Sequence, residues 1–264
     1  MEKTTEIHNC VKNISRESTF TVATQLRHFS IVTYLVPIEK LRRVIPLCFD
    51  IYTITIEGKH WGMVSAVTFI DKDFHFKNIL PFWKLEFPQT NYRAYIINKT
   101  TGENCVWFFG TGLGSRFVFI PQKVWKMPWF LSTYETNFEY TDKYTSYQIE
   151  ITAQNANANI DIIEDSVPRF ITEDFSSAEE ARLVLTHPVT GYFKRSDNYI
   201  GSYKIWHPLM EISTGQCKNA YFEKFEKLEL LTIEQMKHPY SVLLTKEIDF
   251  VIELPPQKLA VMVE

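Results

Sequence analysis

Cysteine is scarce: the 264-residue chain has four, Cys10, Cys48, Cys105 and Cys217, with no C-x-x-C pair among them. That spacing argues against a disulfide framework or a zinc site and predicts a reducing compartment. Cys48 and Cys105 sit among apolar neighbours (Pro46-Leu-Cys-Phe49 and Cys105-Val-Trp-Phe-Phe109), which predicts buried thiols. There is no basic block. The 28 basic and 31 acidic side chains leave a formal net charge of −3, which argues against nucleic acid or an anionic membrane as partner. The longest stretch without an acidic or basic side chain, Asn104 to Ser115, is about 12 residues, short of the ~18 that a spanning helix needs. The start, Met-Glu-Lys-Thr-Thr-Glu-Ile-His, has no apolar h-region, so a cytoplasmic location is expected. Only 9 glycines are present, and no Pro/Gly/Ser linker divides the chain.

What is abundant is aromatic. Phe, Tyr and Trp make up 15% of residues and apolar residues 45%, enough for a thick core without metal or disulfide support. From Phe20 onward the dominant period is two, as in Ile51-Tyr-Thr-Ile-Thr-Ile-Glu57, the mark of half-buried strands. Strands are predicted at 51–57, 61–70, 91–97, 105–109, 115–120, 145–152, 157–163, 181–185, 199–206 and 246–254, with a hairpin turn at Thr100-Thr-Gly102. Short helices are predicted over 37–45, where Pro37 opens and Pro46 stops the run, over 121–131, where Pro128 must kink or end it, and within 219–228. The expectation is a mainly β domain over residues 20–264, with an N-terminal extension over 1–19.

Chemistry-bearing residues are dispersed. Gly110-Thr-Gly-Leu-Gly114 matches no phosphate-loop spacing and reads as a tight connection between strands. Asp71, Asp73 and His75 would share a face if that segment were extended, enough for a cation site, although a solvated hairpin edge fits as well. His187, His207 and His238 each precede proline and so mark loops; their spacing gives no metal motif. Asn91, Arg93 and Tyr95 fall on one face of a strand. Arg93, amid aromatic sequence, needs solvent, a carboxylate or a ligand, because a buried unpaired guanidinium is costly. Lys123 and Lys126 flank the rings of Trp125-Lys-Met-Pro-Trp-Phe130. Desolvation there would activate a lysine, whereas the ordinary outcome is a side chain reaching to water.

Several segments carry a family resemblance: Leu41-Arg-Arg-Val-Ile-Pro46, Asn91-Tyr-Arg-Ala-Tyr95, Val106-Trp-Phe-Phe109, Met127-Pro-Trp-Phe-Leu131, His207-Pro-Leu209 and Ile248-Asp-Phe-Val-Ile-Glu-Leu-Pro255. In this order they resemble the YqjF-like bacterial proteins of unknown function, which belong to the superfamily of acetoacetate decarboxylase. The resemblance spans roughly Val22 to Pro256 and implies a bent antiparallel β-barrel, or cone, around an internal pocket. It places Arg27 at the enzyme's pocket arginine and Gln89 where both families carry glutamate. Its Schiff-base lysine falls on Trp129 and the neighbouring lysine on Phe130, and neither ring can form an imine.

The candidate pocket is therefore Arg27, Gln89, Asn91, Arg93, Trp129, Phe130 and His207, without metal or cofactor. Three readings stay open: a binding protein for a small molecule, perhaps a carboxylate; an enzyme of non-imine chemistry in which Arg27, Gln89 or a histidine polarises a carbonyl; and a structural protein whose barrel is filled by its own rings. The expected partner is a small-molecule ligand, with neither nucleic acid nor membrane, and a homo-oligomer is left open.

Overall fold

The computed structural model describes residues 18, 20–79, 81–168 and 174–262. The expected extension over 1–19, Ser18 excepted, and Cys10 lie outside the described residues. Among those residues no helix is long and apolar enough to cross a membrane.

Strands dominate: β1 (Val22–Pro37), β2 (Phe49–Ile51), β3 (Thr53–Ile56), β4 (Lys59–Phe76), β5 (Leu85–Asn98), β6 (Asn104–Leu113), β7 (Trp129–Tyr140), β8 (Tyr144–Ala153), β9 (Ala158–Glu164), β10 (Thr190–Lys194), β11 (Tyr199–Trp206), β12 (Ser213–Phe222), β13 (Ser241–Ile252) and β14 (Gln257–Met262). The helices are short: α1 (Ile38–Arg42), α2 (Phe119–Lys123), α3 (Ala178–Thr186), α4 (Glu223–Lys227) and α5 (Ile233–Met236).

The pairings close on themselves twice. Strands β13, β1, β4, β5 and β6 form one continuous wall. A first ring closes from β6 through β10 and β11 back to β13. A second closes from β6 through β7, β8, β9 and β12 to β13. The pairings are antiparallel except where β6 runs parallel to β10 and to β7. Long alternating strands make this possible, because successive side chains leave a strand on opposite faces. Tyr34, Ala66, Tyr92 and Ala94 of the wall join Tyr147, Ile160 and Phe222 in a core inside the second ring. Phe29, Val67, Phe69, Tyr95, Phe108 and Phe250 join a separate core inside the first. Each large ring buried here contributes about 1.5–3 kcal/mol.

Local readings fail where a short apolar run fits two periods. Residues 181–185, predicted as a strand, form part of α3. Ser177 caps that helix by accepting from the Glu180 amide at 3.0 Å, and Ala181, Val184 and Leu185 are buried at helical spacing. Residues 115–120 turn into a 3₁₀ segment (Arg116–Val118) and α2 because the Ser115 hydroxyl accepts from the Phe117 amide. The helix predicted over 121–131 stops at Lys123, and after Pro128 the chain becomes β7. Gly110 and Gly112 belong to β6 itself, not to a connection between strands. A Cβ on Gly110 would meet the Phe130 ring at 3.1 Å and the Pro128 carbonyl at 3.2 Å, so β7 crosses where side chains are missing. Cys105 is buried, its thiol pushed up to about 12 by desolvation. Cys48, predicted buried, is exposed, since only Phe49 of that turn reaches the core.

Candidate functional site

Inside the first ring lies a cavity holding about 60 Å³ for water-sized occupants, room for roughly four waters. Most of its wall is apolar, with Phe29, Phe69, Phe108, Trp129 and Phe250 prominent. The polar exceptions are few and ordered. The inward row of β4 runs Val67, Phe69, Asp71, and that of β5 runs Gln89, Asn91, Arg93; Phe69 pairs with Gln89 and Val67 with Asn91. Five of the seven residues expected in the pocket, Gln89, Asn91, Arg93, Trp129 and His207, line this one cavity.

The other two do not, for one reason. Leu26 faces the cavity, so its neighbour Arg27 faces out. There its Nε donates to Gln25 at 2.8 Å and its Nη2 lies 3.7 Å from Glu247, with side chains 38% and 59% exposed. Trp129 faces the cavity, so Phe130 enters the second ring and stacks over Tyr92 at 6.4 Å. Lys123 and Lys126 are exposed, and no lysine is among the cavity's lining residues.

Arg93 is 6% exposed. Its Nε donates to Ser65 Oγ at 3.0 Å, and its Nη2 donates to the Leu185 carbonyl at 3.0 Å and to the Tyr95 hydroxyl at 3.4 Å. Among the described residues no carboxylate pairs with it, and Nη1 finds no protein acceptor. Asn91 Oδ1 accepts from Gln89 Nε2 at 3.1 Å and from Thr111 Oγ1 at 2.8 Å. The Asn91 amide nitrogen and the Gln89 carbonyl remain for an occupant.

His207 comes from the segment after β11. Its Nδ1 lies 2.8 Å from the Pro208 carbonyl, which can only accept, so Nδ1 carries the proton. The remaining Nε2 is a buried acceptor with no partner. The ring stacks on Phe250 at 4.4 Å and meets His187 edge-on at 4.4 Å. Burial, His187 and Arg93 push His207 down to about 3, so it is neutral at ordinary pH. His238, the third loop histidine, stands apart, exposed beside Glu234.

Asp71 was legible in the sequence only as part of a cation cluster, and that cluster does not form. Asp73, at φ 56°, breaks the strand's alternation and pairs with Lys84 at 3.3 Å, while His75 Nδ1 bonds the Asp73 carbonyl at 2.6 Å. Among the described residues no group of three such side chains is placed to hold a metal. Asp71 instead points into the cavity, 2% exposed. Its Oδ1 accepts from Thr24 Oγ1 at 2.9 Å and its Oδ2 has no partner. Desolvation raises it to about 7, so below neutrality it is a carboxylic acid. The signal for Asp71 was its place two residues beyond Phe69 and four beyond Val67, in one inward row.

Comparison with known structures places this fold. The enduracididine biosynthesis enzyme MppR complexed with pyruvate superposes with a TM-score of 0.58 at 9% identity, covering 94% of this chain and 92% of that one. Acetoacetate decarboxylase from Legionella pneumophila subsp. pneumophila str. Philadelphia 1 gives 0.57 at 11% identity, covering 95% of each. An acetoacetate decarboxylase-like enzyme from Sphingomonas wittichii RW1 gives 0.56 at 7% identity, with 92% and 94% covered. At such identities the likeness shows the fold, as the sequence resemblance implied. No curated protein matches in sequence. The model of DUF2071, described as an uncharacterized conserved protein, matches residues 23–249, and the chain belongs to that family.

Proposed function

We propose that this protein binds a small organic carboxylate inside the first ring, with Arg93 as the cation that holds it. The observation that carries the reading is a guanidinium 6% exposed, at the wall of a cavity, with no carboxylate partner among the described residues. A buried cation without a counter-charge is costly, and a bound anion relieves that cost. The low local dielectric strengthens the pairing, and the free Nη1 offers charge-assisted hydrogen bonds. The cavity's size favours an acid of a few heavy atoms. Its lining lacks an amine for imine chemistry, which favours binding over the covalent route of a Schiff-base enzyme. Rings fill the second ring of strands but leave this space open, which weighs against a purely structural role.

The test is thermal denaturation in the presence of short mono- and dicarboxylates. A ligand at about 100 times its Kd stabilises by roughly 2.7 kcal/mol, a Tm rise of roughly 5–10 °C for a chain of this length. The rise should vanish in Arg93→Met, which keeps the volume without the charge. Absence of any shift at millimolar acid would overturn the proposal.

A further inference from the structure

We infer that the bound acid is a 2-hydroxy carboxylate, its carboxylate on Arg93 and its hydroxyl donating to His207 Nε2. The inference rests on the carboxylate reading and goes on to name the substrate class.

Arg93 and His207 stand at the same end of the cavity, brought there by the end of α3. Arg93 Nη2 donates to the Leu185 carbonyl, and His187, two residues further on, contacts the His207 ring at 4.4 Å. Between them Thr186 lines the cavity, its hydroxyl already donated to the Arg182 carbonyl at 2.7 Å. Two free functions at this end have a fixed sense: N–H donors on Arg93 Nη1, and one lone pair on His207 Nε2. The Tyr203 hydroxyl, also on the lining and without a hydrogen bond among the described residues, can turn to donate or accept, and His187 Nδ1, buried without a partner, belongs to a residue outside the lining. The stack on Phe250 fixes the imidazole plane. The bond from Nδ1 to Pro208 fixes the tautomer.

Those two functions select among small acids. A carboxylate satisfies the donors. The lone pair needs an O–H or N–H on the neighbouring carbon, and a buried acceptor left unmatched loses the energy of its hydrogen bond. An unsubstituted acid gives it nothing. A 2-oxo acid is worse, because its carbonyl presents lone pairs to a lone pair. A 2-amino acid would supply N–H donors, but as an ammonium it would add a positive charge beside Arg93. The charged neighbours acting on the two histidines are Arg93 and Arg182. Asp71, the cavity's carboxyl group, sits at the level of Phe87 on β5, six residues from Arg93 and so roughly 20 Å along the strand. A neutral hydroxyl meets the lone pair without that repulsion.

The experiment is titration calorimetry with D- and L-lactate, propanoate and pyruvate on the full chain. At least one lactate enantiomer should bind about tenfold tighter than propanoate, with pyruvate weakest. In His207→Phe, which keeps a ring on Phe250, lactate and propanoate should fall within about twofold of each other. His207→Gln, whose side-chain oxygen restores an acceptor, should recover part of the preference. Equal binding of lactate and propanoate by the wild type would overturn the hydroxyl assignment while leaving the carboxylate reading intact. Persistence of the preference in a folded His207→Phe would do the same. Binding of none of these acids, or binding indifferent to Arg93→Met, would overturn both.

Discussion

Thr24 donates its hydroxyl to one oxygen of the Asp71 carboxyl at 2.9 Å, and the other oxygen, equally buried, receives nothing. One hydrogen bond does not offset the loss of water around a charged carboxylate, so the protonated form is favoured.

A pH dependence of known sign follows. The folded pKa is about 7 against 3.8 for the free group, so between these values the folded state holds the proton more tightly. This contribution to stability is present below pH 4, declines as pH rises through 7 and is absent above it, a difference of roughly 4 kcal/mol. Asp71→Asn keeps the shape and the Thr24 contact without the charge. Denaturant unfolding should find the variant more stable than wild type at pH 8, with the gap narrowing as pH falls and closing near pH 4. A variant less stable at pH 8 would show that Asp71 is ionised and paired.

His207 has the opposite sign. Its folded pKa of about 3 lies below the usual 6.5, so the unfolded chain binds the proton first and stability falls as pH drops from about 6.5 towards 3. His207→Phe should flatten the acid limb of the stability curve. An unchanged limb in that variant would show the imidazole to be accessible.

Arg27→Ala separates the outward arginine from the inward one. The Arg27–Glu247 pair is exposed on both sides, and such pairs contribute about 0–1 kcal/mol. Carboxylate-induced stabilisation should be the same in Arg27→Ala as in wild type. Loss of it would return Arg27 to the site.

Gly191→Ala tests the cavity wall from behind. Gly191 lies against the ring of Phe108, and an added methyl would strike that ring, which lines the cavity and stacks on Tyr203 at 5.6 Å. Overpacking of this kind costs about 1–3 kcal/mol, and displacement of Phe108 should weaken carboxylate binding as well. Wild-type affinity in this variant would show that Phe108 yields without moving the wall.

Borohydride reduction in the presence of acetoacetate or pyruvate should leave the protein's mass unchanged. Lys123 and Lys126 reach solvent. Lys224, whose amine is lowered by burial, lies over Phe130 inside the second ring, 5.9 Å from the ring centre. A stable adduct on any of these three would show that an imine forms outside the first ring.

The β character and much of the candidate cavity lining were legible because period two is a direct record of strands, and placing Asn91, Arg93 and Tyr95 on one face needed nothing more. Direction was not. Alternation says that Leu26 and Arg27, or Trp129 and Phe130, face opposite ways, but not which of each pair faces the cavity; that depends on which ring closes on which side. Asp71 was hidden by the φ of Asp73, a local break that separates it from the neighbours with which it had been grouped. Residues 181–185 were ambiguous because five apolar-rich residues suit a strand or a helix, and the Ser177 cap that decides it lies outside the run.

The wall common to both rings has a consequence for how such a protein can diversify. Insertion or deletion of one residue within β5 would turn Arg93 into the densely filled second ring and bring Tyr92 or Ala94 to the cavity in its place. The wall's length is therefore frozen by two interiors at once. New ligand preferences must arise by substitution at alternate positions, or in the segments outside the wall that also line the cavity, where Thr186, His207 and Met210 sit buried and a change in length disturbs only one interior.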